Sequence, residues 1–176
     1  AVAIPDANAA GVNATLPVSG LPAGSIVNDI NFRFDAGVGT CDATIGNTVA
    51  GVDHTYVGDL VFTLTSPGGP TLTFVNRPGS GGNGFSGNNI CSTLLNDFAD
   101  GGSPSIDSVA TAPVQGNFSP DSNNSPDNEN VFAGFDGLTA NGTWTLNASD
   151  AAVADIGSVR RFSLIVTAQL RICSAS

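Results

Sequence analysis

The stretch His54-Thr-Tyr-Val-Gly-Asp-Leu-Val-Phe-Thr-Leu-Thr-Ser-Pro67 decides the fold. From Leu60 to Thr65 its residues alternate: Leu60, Phe62 and Leu64 point one way, Val61, Thr63 and Thr65 the other. A period of two is the pattern of a half-buried β-strand. Ser66-Pro67-Gly68-Gly69 stops the strand with turn residues, and Pro70 to Val75 resumes the alternation through Leu72 and Phe74. The two runs predict a β-hairpin with one apolar face and one threonine-rich wet face.

Similar runs flank the hairpin. Upstream, Ala1 to Gly11 reads as a lead-in and Val12 to Val18 as a weak strand. Ser25 to Asp35 is clearer, with Ile26, Ile30, Phe32 and Phe34 on one face and Asp29, Asn31 and Arg33 on the other. Ala36 to Asp53 holds no sustained period and predicts a loop with room for one short strand. Downstream, Arg77 to Asn89 carries five glycines in thirteen residues, a loop composition. Ile90, Leu94, Leu95 and Phe98 suit a short strand or a helical turn. Asp100 to Asn130 is polar and punctuated by Pro104, Pro113, Pro120 and Pro126. It predicts a long irregular connection, and such a length inside a compact domain needs something to order it. Asn141-Gly142 then turns the chain into Thr143 to Ser149, with Trp144, Leu146 and Ala148 facing inward. Val159 to Leu170 reads as the last strand, its core face made by Phe162, Leu164, Val166 and Ala168. Many short strands and no helical period predict an all-β, two-sheet antiparallel β-sandwich. One domain over residues 1–176, with its core at about 4–170, suits a chain of this length.

Charge narrows the partners. The chain has no lysine, five arginines and fifteen acids, a net charge of −10. Nucleic acid and anionic membrane are therefore expected to be repelled. No apolar run approaches the ~20 residues that cross a bilayer. Ala1-Val-Ala-Ile-Pro5 lacks the basic start and long apolar centre of a signal peptide, so the chain reads as a mature fragment or a piece of something longer.

Catalytic patterns are not found. A serine-protease triad needs a histidine base near a nucleophile and an acid, and the single histidine, His54, opens the central strand beside Tyr56, where a hydrogen-bonded structural role is expected. No Gly-x-Ser-x-Gly or His-Glu-x-x-His motif occurs. Calcium chemistry is better represented, because carboxylates gathered on loops repel one another until a cation neutralises them. Candidate ligands stand at loop edges: Asp59, Asp97, and Asp150 with Asp155. The alternative for each is capping of a turn through nearby amides. A further pattern places Asp121, Asn123, Ser125, Asp127 and Glu129 on alternate positions, like the first half of an EF-hand loop. Pro126 stands where that loop needs glycine and Phe132 where it needs glutamate, so a plain polar loop is expected.

Three motifs occur in order: His54-Thr-Tyr-Val-Gly-Asp-Leu60 with Leu64-Thr-Ser-Pro-Gly-Gly69, then Asn141-Gly-Thr-Trp-Thr-Leu146, then Ser149-Asp150. Together they resemble the P domain (P/Homo B domain) of kexin- and furin-like proprotein convertases, closest to bacterial versions attached to secreted proteases. The likeness runs from about Ile4 to about Leu170. It implies a jelly roll of about eight strands and a non-catalytic accessory domain that follows a subtilisin-like serine endopeptidase. Such a domain supports the folding, stability and calcium or pH dependence of its parent, which implies a secreted, extracellular setting. The Asp150–Asp155 loop resembles the family's Ser-Asp…Gly-Asp-Thr-Gly loop, with Ala154 and Ile156 as departures, and Asn96 stands where the family has the first Asp of Asp-Asp-x-Ala. Three cysteines allow three pairings. Cys41–Cys91 is favoured, since both lie in connections that look inserted relative to the family pattern; Cys173 is then left over. The expected partner is the parent's catalytic domain or another protein surface. A stand-alone binding or adhesion module that recognises polysaccharide or protein surfaces is the alternative.

Overall fold

The computed structural model describes residues 1–79 and 85–171. Eleven strands form among them: β1 (Val2–Ile4), β2 (Asn8–Val18), β3 (Ser25–Phe34), β4 (Val52–His54), β5 (Leu60–Thr65), β6 (Thr71–Asn76), β7 (Ile90–Leu95), β8 (Val114–Phe118), β9 (Gly142–Asp150), β10 (Gly157–Val159) and β11 (Phe162–Leu170). One sheet runs β1-β10-β4-β7-β3-β11 with β8 added beside β7, and the other runs β2-β9-β5-β6. Eleven strands exceed the expected count of about eight, and β1, β4 and β10 are three-residue pieces, too short to show a period.

The hairpin forms as the alternation predicts. β5 pairs antiparallel with β6, Thr65 facing Thr71, and β5 pairs on its other side with β9. Leu60, Phe62 and Leu64 are buried, as are Trp144, Leu146 and Ala148 of β9. On the opposite face the registers align two polar rows across the sheet. Thr15, Thr145, Thr65 and Thr71 form one, and Asn13, Asn147, Thr63 and Thr73 the other. Between the sheets, aromatic rings from both layers interlock: Phe32 lies 4.7 Å from Phe74, and Phe34 lies 4.9 Å from Phe62. Burying each such ring contributes about 1.5–3 kcal/mol relative to leaving it wet. This shared apolar cluster fixes the two layers and carries the loops at their ends.

Departures from strict alternation have local causes. In β3, Val27 is buried and Ile26 only half-buried, although the simple period puts Ile26 inside. Thr167 pairs with Asp29 and Ala168 with Val27, so Asn28 is an extra residue that flips the side-chain order. β6 has a similar slip beside Phe74, which lets both Phe74 and Val75 enter the core. β2 starts earlier than its period suggests, because a bulge interrupts it between Asn8 and Val12. Gly11 serves that bulge with φ +61, and a Cβ there would lie 2.5 Å from the Ala148 carbonyl oxygen. The proline-marked stretch from 100 to 130 is not wholly irregular, since β8 lies within it and pairs parallel to β7.

Cys41 and Cys91 form a disulfide with Cα atoms 6.0 Å apart, tying the loop before β4 to β7. Asn89 reinforces the tie, its side-chain amide donating to the carbonyls of Asp42 and Thr44. Cys173 lies outside the described residues. The bridge closes a separation of 50 residues, so the Cys41→Ser/Cys91→Ser variant is expected to lose about 2–4 kcal/mol, mostly by freeing the unfolded chain. Urea unfolding of both forms measures the loss. An unchanged midpoint would mean that the loop is held by hydrogen bonds alone.

Candidate functional site

The acids that matter gather in three groups at the ends of strands. The first contains three of the residues expected to bind metal. Asp59 ends a 3-10 turn at Val57–Asp59, and cross-strand pairing sets Leu60 opposite Asp150. Burial pushes the Asp59 carboxyl above its usual range, and the charges of Asp150 and Asp155 add to the push. Each acid already has a partner. Arg77 Nη2 donates to Asp59 at 3.3 Å, and the Thr55 hydroxyl donates to Asp155 at 2.7 Å. Asp150 accepts from the Ala152 amide at 3.0 Å, and its other oxygen lies 3.2 Å from His54 Nε2.

His54 is fully buried, as is Asp150. His54 Nδ1 meets Tyr56 twice, 3.1 Å from its amide and 2.9 Å from its carbonyl oxygen, and which of the two it bonds is set by the tautomer, while Nε2 faces Asp150. Nε2 and the Asp150 carboxylate are not aligned for a hydrogen bond, yet they face each other with both side chains fully buried. A histidine sealed from solvent in this way orders the β4–β5 connection and β9; it does not meet a substrate. Tyr56 itself is half-buried.

The second group surrounds Asp97. Both oxygens of this buried carboxylate are used: the amides of Phe132 and Ala133 donate to them at 2.8 and 2.6 Å. Asp97 thereby caps the 3-10 turn Phe132–Phe135, which drives Phe132 and Phe135 into the core. It also lines a cavity of about 460 Å³ together with Asp29, Asp100 and Asp136. Burial raises Asp29, Asp97 and Asp136 above the usual carboxylate range, and the charge of Asp100 acts on all three. Four carboxylates around one cavity, with Asn28 and Asn130 beside them, offer the hard oxygens that calcium takes. Asp97 is therefore both a turn cap and a wall of an acidic cavity.

The third group contains Asp121, Asp127 and Glu129, whose nearest carboxylate oxygens all lie within 4.8 Å of one another. Asp121 is completely buried, and its carboxylate accepts from the amides of Asn123, Asn124 and Ser125. Burial pushes it up to about 6 against those amides, with Asp107 and Glu129 adding repulsion.

Asp29, Asp100, Asp107 and Asp136 were not singled out by sequence as ligands. Asp29 had a readable signal, an acid in an apolar strand, but only the bulge at Asn28 decides where it points. Asp100 and Asp107 sit in single 3-10 turns and Asp136 ends another, pieces too short for spacing to carry a direction.

Comparison with curated proteins found no match, and comparison with solved structures found none. The family model of the proprotein convertase P-domain matches residues 47–166, from the loop before β4 almost to the end of β11. That span includes the central hairpin, the His54–Asp150 pair, the Asp97 cavity walls except Asn28 and Asp29, and the whole Asp121 loop. The chain, an all-β sandwich whose one histidine is sealed in its core, belongs to the proprotein convertase P-domain family, a family of non-catalytic accessory domains.

Proposed function

We propose that this chain is the accessory domain of a secreted, subtilisin-like serine endopeptidase and lies C-terminal to the catalytic domain. It stabilises that partner by packing against it. The observation that carries this reading is the loop between β9 and β10. It leaves Val153 and Ile156 at 73% and 67% exposure, side by side on one loop, whereas the other exposed large apolar side chains among the described residues, Val38, Ile45, Phe98, Ile165 and Leu170, lie on other segments. Its backbone is held by the Ala154 amide donating to Asp6, the Ile156 amide donating to Thr55, and the Thr55–Asp155 bond. Two large apolar side chains on a braced loop are a ready contact for a neighbouring domain, and burying them there links the stability of the pair. The Cys41–Cys91 bridge suits an oxidising, extracellular compartment. Among the described residues no helix is long and apolar enough to cross a membrane.

Calcium belongs to the same reading. Arg77 already pairs with Asp59 and the Thr55 hydroxyl with Asp155 at the Asp59–Asp150–Asp155 end, so the cavity of Asp29, Asp97, Asp100 and Asp136 is the better place for an ion. There the cation would offset the mutual repulsion of four carboxylates and hold the loop after β7 against the start of β3.

The test uses the full parent protease. Val153→Asp/Ile156→Asp is expected to leave the melting of this domain within a few degrees of wild type, since both side chains are exposed. It should lower the thermal half-life of peptidase activity at least tenfold. An unchanged half-life would remove packing through this loop. Peptidase activity in the separated domain would remove the accessory reading altogether.

A further inference from the structure

We propose that Asp121, Asp127 and Glu129, joined by Asp107 from a neighbouring segment, form a calcium site in the loop between β8 and the Phe132–Phe135 turn. This site is distinct from the Asp97 cavity and does not depend on it.

The ligand atoms are close enough for one ion. Oxygens bound to the same calcium lie up to about 5 Å apart, because each sits 2.3–2.6 Å from the metal. The carboxylates of Asp121, Asp127 and Glu129 meet that limit at 4.8 Å. They also come from alternate positions of one short loop, the spacing by which an EF-hand folds its first ligands around an ion. That comparison leaves a gap, because the closing glutamate would fall at residue 132. Here residue 132 is a phenylalanine buried in the core, so this loop cannot close the site by itself.

Asp107 fills the gap from a different segment. A parallel bridge pairs Ser105 with Ser119, and Asp107 and Asp121 each lie two residues beyond it. The bridge thus carries the two acids side by side into the same region, where each feels the other group: Asp107 feels the charge of Asp127, and Asp121 that of Asp107. Asp107 is fully buried. Its Oδ1 accepts from the Gly79 amide at 3.0 Å, while its Oδ2 has no hydrogen-bond partner among the described residues. A buried carboxylate oxygen without a partner is costly and rare. Asp107 stands outside the trio whose oxygens come within 4.8 Å of one another, and a cation held by that trio would draw this oxygen in as a further ligand. The side-chain oxygen of Asn124 is likewise buried and without a partner among the described residues, and supplies a neutral hard donor at the same loop.

The loop is already shaped for the ion. Asp121 gathers three successive amides, Glu129 accepts from the Ser122 amide, and the Asp121 amide donates to Phe74 of β6. An ion here would lock the proline-marked 100–130 connection onto the hairpin at two places, through Asp107 and through the loop itself.

Calorimetric titration of the whole chain with calcium chloride tests the site. Asp127→Asn/Glu129→Gln alters two side chains that reach solvent, and circular dichroism verifies that it folds. It is expected to remove one bound calcium or weaken it at least tenfold, and to abolish calcium protection of the 122–130 loop against proteolysis. Asp107→Asn should weaken the same ion while Asp100→Asn/Asp136→Asn, in the other cavity, leaves it unchanged. Calcium binding and loop protection unaltered in Asp127→Asn/Glu129→Gln would overturn the proposal, and so would a wild-type chain that binds calcium only at the Asp97 cavity. Loss of binding in Asp100→Asn/Asp136→Asn alone would support that cavity and sink this site; loss in Asp127→Asn/Glu129→Gln alone would do the reverse.

Discussion

Trp144→Ala is expected to destabilise the domain by about 3–5 kcal/mol, a large part of the ~5–15 kcal/mol that holds a domain folded. Trp144 is completely buried in β9, the strand that pairs with both β2 and β5. Its ring meets Phe135 edge-on at 5.2 Å, and its indole N–H donates to the Ala140 carbonyl at 3.1 Å. Truncation leaves a cavity next to Phe135 and orphans that carbonyl. Trp144→Phe keeps most of the volume and loses the hydrogen bond, so a cost of about 1–3 kcal/mol is expected from the unsatisfied group. Urea unfolding followed by far-ultraviolet circular dichroism is the suitable readout, because the chain has no other tryptophan to report by fluorescence. A loss below about 1 kcal/mol for Trp144→Ala would place the ring outside the core.

The second large effect concerns the sealed pair. His54→Leu removes the group that faces Asp150 Oδ2 and leaves a fully buried carboxylate with only the Ala152 amide among the described residues. Breaking a buried pair from one side typically costs about 3–5 kcal/mol, because the remaining charge stays desolvated. His54→Leu/Asp150→Leu removes both partners and is expected to recover much of that loss. The two single substitutions and the double one form a cycle, and contacting residues in such a cycle show a coupling of about 0.5–3 kcal/mol. Strict additivity would mean that the histidine and the aspartate act independently, and the structural role assigned to His54 would fail.

Both effects concern places where the family's motifs and the core coincide. His54 and Asp59 flank the start of β5, and Asp150 ends β9 directly opposite. The motif residues are thus explained by packing and by burial of polar partners, with no reacting group required. Two acidic places remain, the cavity at Asp97 and the loop at Asp121, where carboxylates that repel one another are gathered.

The hairpin β5–β6, the inward face of β9 and the core face of β11 were legible from residue order alone. There a side-chain period of two meets one buried face, so pattern and direction are the same information. The order also showed that Asp59, Asp97, Asp150 and Asp155 sit at strand ends, and it singled out Cys41 and Cys91 through their family setting. Tertiary structure decided the rest. It placed Val27 inside instead of Ile26, because one extra residue at Asn28 reverses the period. It made β8 a parallel strand, although Gln115, Gly116 and Asn117 are all exposed and leave no apolar pattern to read. Only the fold set Asp29 beside Asp97 and Asp107 beside Asp121. Carboxylates from distant segments meet through sheet register and loop path, and neither is encoded in the spacing of the acids themselves.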